Sequence, residues 1–272
     1  MSTALLRRAH PPTGSWCINE VTPADAGWTY LSYAVHRLGD GQQIHRAADD
    51  QEVAVIVLEG SVDVVAGSER WPDVGSRASV FEGPCAPVVL VEPGRDILVR
   101  DRSAAALIAL ASAPGGAVRS TRLIEPASMR VEERGSGNTA RRVHHLLPPA
   151  ASAGRLILFE VFTPGGNWSS YPPHKHDIDD PPRESALEEL YHYRFARPGA
   201  FAFARVYTAD RTLDEAMTPG EDDLVLVPRG YHPAGMPAGY DGWYLNAMAG
   251  SSRLWHFTLD PDHAWLMDWA PA

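Results

Sequence analysis

Cysteine and long apolar runs are both scarce in this chain of 272 residues. Cys17 and Cys85 are the two cysteines, too few for a disulfide framework and without the paired spacing of a zinc ribbon. No apolar stretch is long enough for the core of a signal peptide, and none could span a bilayer as a helix. We therefore expect a cytoplasmic protein in which both cysteines are reduced packing residues.

Positive charge is also in short supply, with 24 lysines and arginines against 34 aspartates and glutamates. The formal net charge of -10 argues against a general affinity for nucleic-acid backbones or anionic membranes, because both would repel the chain. A small-molecule partner is favoured instead. An anionic metabolite is compatible with this charge, since a few arginines can outweigh the overall field inside a pocket.

Helical periodicity is nearly absent, and short apolar runs separated by Pro and Gly turns predict strands. QEVAVIVLEGSVDVVAG, residues 51–67, has two such runs about Glu59-Gly60 and predicts a β-hairpin. SAAALIALASAPGG, residues 103–116, is compatible with a helix, irregular structure or a strand. Residues 121–150 contain many turn residues and positive charges, which is typical of a solvated connector. The runs beyond them repeat the pattern of the first half, so a sandwich or barrel architecture is predicted.

The segment NWSSYPPHKHD, residues 167–177, carries the most specific chemical pattern. Successive side chains of a strand point to opposite faces, so His174 and His176 share one side. After a polar insertion, a second strand-like run brings Glu189 toward the same cavity. His232 follows an apolar strand that ends in a Pro and Gly turn. Three imidazole nitrogens and one carboxylate oxygen form a divalent-metal site with room for a substrate.

The metal prediction depends on this convergence, because a His-x-His pair alone is common on exposed strands and usually binds nothing. Glu189 is preferred to Glu188 as the carboxylate. Strand alternation puts Glu189 on the face of Tyr191 and Tyr193, and it directly precedes that Leu-Tyr-x-Tyr run. Glu188 is expected to point away.

These motifs, together with RGSGNTARRV, PRGYHPAG and GYDGWYLNAMAG, resemble the bacterial 5-deoxyglucuronate isomerase family of inositol catabolism. The resemblance is specific over residues 131–265. It implies an all-β bicupin, with one cupin β-barrel at 1–120 and a second at 121–272 that holds the active site. The implied metal ligands are His174, His176, Glu189 and His232.

The same resemblance implies one divalent metal ion per chain, with Zn, Mn, Fe, Co and Ni left open. No complete ligand set occurs in the first half of the sequence, so the first barrel is expected to be metal-free. Its expected role is packing, oligomerisation or closure of the pocket. We expect the protein to be a homo-oligomer.

The implied reaction is the conversion of 5-deoxy-D-glucuronate to 5-dehydro-2-deoxy-D-gluconate, an aldose-ketose isomerisation. A hydroxy-aldehyde presents two adjacent oxygens to a metal, which suits the inferred site. Tyr191, Tyr193 and Tyr244 are the candidates to bind the substrate or relay a proton. The general base stays open, and so does the choice between proton transfer and a hydride shift.

The substrate's carboxylate calls for an arginine, whose planar fork can bind both oxygens. In falling order of closeness to the motifs, the candidates are Arg229, Arg253, Arg141 and Arg142. Two other classes of protein remain open. One is an oxygenase with the same three-histidine, one-glutamate set, and the other is a non-enzymatic sugar-binding bicupin.

Overall fold

The computed structural model describes residues 5–12, 14–116 and 120–269. Strands β1 to β11 are Leu6–Arg7, Cys17–Val21, Ser32–Gly39, Gln43–Arg46, Gln51–Glu59, Val62–Ala66, Glu69–Val74, Val88–Val91, Ile97–Asp101, Ala105–Pro114 and Arg122–Ile124. Strands β12 to β23 are Arg130–Arg134, Arg141–Leu147, Ile157–Thr163, Trp168–Ser169, His174–Lys175, Leu187–Phe195, Phe203–Tyr207, Asp214–Met217, Leu224–Val227, Ala234–Gly235, Gly242–Gly250 and Thr258–Leu259. The strand-rich architecture predicted from the sequence is confirmed.

Helices are short in the part of the chain that the structure describes. The α-helix α1 is Pro23–Ala26, and Thr22 caps it by accepting from the backbone N–H of Asp25. The 3-10 helices are Gly14–Trp16, Pro126–Ser128, Gly137–Thr139 and Pro261–Met267. Among the described residues, no helix is both long and apolar enough to cross a membrane.

The chain divides into two compact units. The N-terminal unit contains the described residues of 10–130 and 145–158, and the C-terminal unit contains those of 5–9, 131–144 and 159–269. Whether two domains divide at residues 120 and 121 stays a prediction.

The N-terminal unit has a six-stranded sheet in the order β11-β8-β5-β10-β3-β2 and a four-stranded sheet in the order β4-β9-β6-β7. Its core is aliphatic. Val53, Val55 and Val57 of β5 are at most 2% exposed and pack in one cluster with Val62 and Val64 of β6. Burying each such side chain contributes about 1.5–3 kcal/mol, so this core needs no metal for stability.

The predicted hairpin at residues 51–67 is wrong in its pairing. Both strands exist, but β5 pairs with β8 and β10, whereas β6 pairs with β7 and β9 in the other sheet. Gly60, at φ 76°, lies where the chain passes between the sheets. A Cβ there would lie 2.9 Å from the carbonyl oxygen of Ala105, so only glycine fits. The turn signal was real, but strand pairing is decided by distant segments.

Two further segments form strands within the sheets. Residues Ala105–Pro114 form β10, which lies between β3 and β5 in the six-stranded sheet, so the strand alternative holds for them. The connector interpretation of residues 121–150 is wrong for Arg130–Arg134 and Arg141–Leu147. These are β12 and β13, the last two strands of a seven-stranded sheet.

The C-terminal unit contains most of that seven-stranded sheet, in the order β1-β20-β17-β22-β14-β13-β12. A four-stranded sheet, β15-β21-β18-β19, and a two-stranded sheet, β16-β23, complete it. In the central pair, Tyr191 of β17 lies opposite Asn246 of β22, and Tyr193 lies opposite Tyr244. Directly paired residues share a face, so these side chains point to one side of the sheet together with Glu189.

Candidate metal centre

Three histidines from two segments of the C-terminal unit converge. His174 lies in β16, His176 lies just beyond it, and His232 follows the turn after β20. The ring centroid of His232 is 4.7 Å from that of His174 and 5.1 Å from that of His176. Gly230 has φ 90°, and a Cβ there would lie 2.4 Å from the carbonyl oxygen of Tyr207. The turn that presents His232 therefore requires glycine.

Each of the three imidazoles is oriented by a backbone carbonyl. The Nδ1 atom lies 3.2 Å from its carbonyl oxygen in His174, 3.0 Å in His176 and 2.9 Å in His232. The carbonyls are those of Pro172, Leu187 and Gly230. A carbonyl only accepts, so each Nδ1 carries a proton and donates it outward, which leaves each Nε2 as the ring nitrogen available to a metal. This is how second-shell partners orient histidines that bind a metal.

Glu189 supplies the oxygen of the cluster. Its Oε2 lies 2.7 Å from His176 Nε2 and 3.1 Å from His232 Nε2, and its Oε1 accepts a hydrogen bond from Asn246 Nδ2. The ligand atoms of His176, Glu189 and His232 all lie within 4.8 Å of one another. His232 Nε2 is buried and makes no hydrogen bond. A buried nitrogen without a hydrogen bond is costly, so these residues fit a divalent ion.

Burial and mutual charge set the protonation of this cluster. Burial, with the charges of His232 and His176, lowers the pKa of His174 to about 3. Burial would raise the pKa of Glu189, but His232 and His176 hold it well below its usual value. A neutral imidazole and an ionised carboxylate are the forms that bind a metal. Burial also opposes the charge of His176, yet Glu189 raises its pKa, so metal binding there competes with a proton.

The candidate tyrosines are buried around the same cluster. Tyr191 Oη lies 3.0 Å from Ser170 Oγ, and Tyr244 Oη lies 2.6 Å from Ser169 Oγ. Tyr193 Oη is buried without a hydrogen-bond partner. Burial raises the pKa of Tyr244 to about 12 and the pKa values of Tyr191 and Tyr193 well above 10. All three phenols therefore keep their protons at neutral pH, and Tyr191 and Tyr244 are available as hydrogen-bond donors rather than as bases.

Two cavities meet beside His174. The inner one, of about 50 Å³, is lined by Glu189, Tyr191, Tyr244 and Asn246 among others. The outer one, of about 430 Å³, has Phe257, Leu266, Met267 and Trp269 in its wall. The residues common to both are Arg134, Arg141, His174 and Trp255. Tyr193 is not among the described residues that line either cavity.

The structure separates the four predicted arginines. Arg141 is 9% exposed and lines both cavities. Arg229, Arg253 and Arg142 are absent from the described lining of either one. Arg229 is exposed, and its nearest side-chain partner is the hydroxyl of Thr212 at 3.5 Å. Arg142 lies on the other face of β13 and pairs with a glutamate at the surface.

Sequence reasoning missed Arg134 and Asn246. Asn246 lies two residues after Tyr244 in β22, so strand alternation alone places both on one face and could have identified it. Arg134 begins the RGSGNTARRV motif. Because that stretch was interpreted as a connector, strand alternation was not applied to it and the direction of the Arg134 side chain was not predicted. Only the addition of β12 to the sheet brings Arg134 to the cavity.

The fold is that of a bicupin, and a cluster of histidines and a glutamate in its C-terminal unit has the composition of a divalent-metal site. An oxalate decarboxylase from Lactobacillus farciminis superposes with a TM-score of 0.65 at 10% identity, covering 96% of this chain and 88% of that one. This likeness shows the fold alone. The all-β bicupin fold implied by the sequence is confirmed.

The chain belongs to the KduI/IolB family, whose model matches residues 5–266. It is 43% identical over 264 residues to the 5-deoxy-glucuronate isomerase of Geobacillus kaustophilus, covering 97% of this chain and 95% of that one. Its identity to the 5-deoxy-glucuronate isomerase of Bacillus subtilis is 39%, with coverages of 92% and 93%. The crystal structure of an IolB-like protein from Salmonella typhimurium has a TM-score of 0.93 at 38% identity, covering 96% of this chain and 98% of that one.

Proposed function

We propose that this protein is a metal-dependent isomerase that converts 5-deoxy-D-glucuronate to 5-dehydro-2-deoxy-D-gluconate in myo-inositol catabolism. The observation that carries the proposal is the convergence of His176 Nε2, His232 Nε2 and the Glu189 carboxylate, with the ring of His174 packed against His232 at the edge of the inner cavity. The choice of substrate rests on the relatives named 5-deoxy-glucuronate isomerase, which match this chain over nearly its whole length. The reaction moves hydrogen from C2 to C1 of the aldose, and needs no external oxidant.

His174, His176, Glu189 and His232 would hold one divalent ion per chain. When bound there, the ion supplies Lewis-acid polarisation of the two adjacent oxygens of a hydroxy-aldehyde. Nothing in the ligand set separates Zn, Mn, Fe, Co and Ni. The N-terminal unit is proposed to be metal-free, because no three possible metal ligands among its own described residues lie close enough together to hold an ion.

The protein's own part is to donate hydrogen bonds as negative charge develops on the substrate oxygens. Tyr191 and Tyr244 line the inner cavity with their phenol protons retained. Donors held in fixed positions stabilise such charge without having to reorient as it develops. Asn246 holds Oε1 of Glu189, so Oε2 stays directed at the histidines. Trp255 packs against Phe257, with ring centroids 5.9 Å apart, and walls the outer cavity.

The test is to incubate the metal-loaded protein with 5-deoxy-D-glucuronate without nucleotide, flavin or dioxygen, and to follow the ketose by NMR. We expect turnover by the wild type and its loss in His232→Ala that keeps its circular dichroism spectrum. The oxygenase class makes the opposite prediction. Dioxygen consumption with ferrous ion, and no ketose, would overturn the isomerase.

Two coarser properties complete the proposal. A homo-oligomer is proposed, to be checked by light scattering. The cytoplasmic location stays a prediction of the sequence.

A further inference from the structure

Arg141 is a buried cation whose hydrogen bonds go to neutral groups. Its Nη1 donates to the carbonyl oxygen of Thr139 at 2.8 Å and its Nη2 to that of Tyr171 at 3.2 Å. Among the described residues, no carboxylate forms an ion pair with it, and its Nε has no hydrogen-bond acceptor. Burying a charge without a counter-ion is unfavourable. The side chain lines both cavities, so a bound anion could supply the missing counter-ion.

A second guanidinium faces the same place. Arg134 also lines both cavities, pairs with Glu132 at 3.0 Å, and has its Cζ 5.6 Å from the ring centroid of Trp255. These contacts hold it in a defined position. Burial lowers the pKa of Arg141, and the charge of Arg134 adds to this against the opposing effects of Tyr244 and Glu132. An anion between the two guanidiniums would relieve this repulsion and accept several charge-assisted hydrogen bonds.

The charges of the inner cavity fix which end of a ligand goes where. The two arginines at the junction of the cavities favour a carboxylate there. Under the proposed function, the ion held beside Glu189 would take the two adjacent oxygens of the hydroxy-aldehyde. A sugar acid would therefore enter with its hydroxy-aldehyde end toward the histidines and its carboxylate at the junction.

We propose that Arg141 and Arg134 bind the carboxylate of the substrate, and that they, rather than Arg229, make the site specific for sugar acids. The identity of the substrate rests on the proposed function. Recognition of a carboxylate by this pair of arginines does not.

The kinetic test compares 5-deoxy-D-glucuronate with the aldose that has CH2OH in place of its carboxylate. In Arg141→Met and in Arg134→Met, we expect kcat/KM for the acid to fall ~30-fold to 1000-fold, as lost charge-assisted contacts imply. The neutral aldose should change less than about threefold, which is the signature of a direct contact in a double-mutant cycle. Arg142→Met, on the outer face of β13, is the matched control. Equal losses on both substrates, or the same selective loss in Arg229→Met alone, would overturn the proposal.

A binding test keeps this proposal distinct from the isomerase assignment. Calorimetry on metal-loaded protein compares D-glucuronate with D-glucose, which differ in the carboxylate. We expect tighter binding of the acid, and loss of at least ~30-fold of that preference in Arg141→Met. If the acid is not isomerised but its binding still depends on Arg141, the arginine pair stands and the isomerase falls. If isomerisation occurs and the preference for the acid survives in Arg141→Met and in Arg134→Met, the isomerase assignment stands and the proposal for the arginine pair falls.

Folding of the variants is checked by circular dichroism and metal content. Should Arg141→Met fail to fold, Arg141→Lys keeps the charge but not the planar fork, and we expect an intermediate loss on the acid. Arg134 is only partly buried, so Arg134→Met supplies an independent measurement. An unchanged acid preference in these two variants would also refute the proposal.

Discussion

Replacing Glu189 with glutamine tests the metal centre most directly, because the change removes one charge and keeps the shape. In the wild type, Oε2 faces His176 Nε2 at 2.7 Å and His232 Nε2 at 3.1 Å, while Oε1 accepts from Asn246. A glutamine has a single oxygen. Either that oxygen faces Asn246 and an NH2 group faces the histidines, or two NH2 groups face each other. Both arrangements remove the anionic ligand or leave a donor unsatisfied.

The magnitude follows from the place of Glu189 in the site. Loss of a partner that only orients a ligand costs roughly 10-fold to 100-fold in metal affinity. Loss of a direct, charged ligand should cost ~100-fold or more, which is about 2.8 kcal/mol at about 1.4 kcal/mol per tenfold change. We expect isomerase activity at limiting metal to fall in proportion to the loss of metal affinity.

The assay is competition for metal against a chromophoric chelator, with circular dichroism to verify folding. Glu188→Gln is the matched control, since Glu188 is the neighbouring residue of β17, on the opposite face, and should change affinity less than about twofold. The reverse pattern, a strong effect at Glu188 and none at Glu189, would refute the reasoning. It would mean that β17 is shifted by one residue, and then the inward tyrosines would also be misassigned.

Two further predictions concern metal content and pH. Elemental analysis should find about one divalent ion per chain, and His176→Ala should remove it without unfolding the protein; two ions per chain in the wild type would contradict the assignment. The pKa of His174 is about 3 when folded and about 6.5 when unfolded, so the unfolded chain takes up the proton first as pH falls. The free energy of unfolding of the metal-free protein should therefore decrease from about pH 6.5 toward pH 3. The free energy of unfolding of His174→Gln, measured by urea titration at each pH, should decrease less over this range. Equal pH dependence in the variant and the wild type would show that His174 is not buried in its neutral form.

Local sequence determined which residues could share a face. The two-residue period of a strand separates Glu189 from Glu188 and groups it with Tyr191 and Tyr193, and it places Asn246 with Tyr244. The glycine at position 230 likewise indicates the left-handed turn before His232. These inferences need no knowledge of distant segments, because pleat and turn geometry are properties of a few consecutive residues.

Tertiary structure alone decided which strands pair and which charges face the cavity. The runs on either side of Gly60 carry a hairpin signal, yet each pairs with strands far away in sequence. Arg229 is near His232 in the chain but exposed, whereas Arg134 and Arg141 are distant in the chain and line the cavity. Sheet order arises from hydrogen bonds between segments tens of residues apart. The direction of a side chain is therefore readable from its neighbours, but the partner it meets depends on how the whole sheet is assembled.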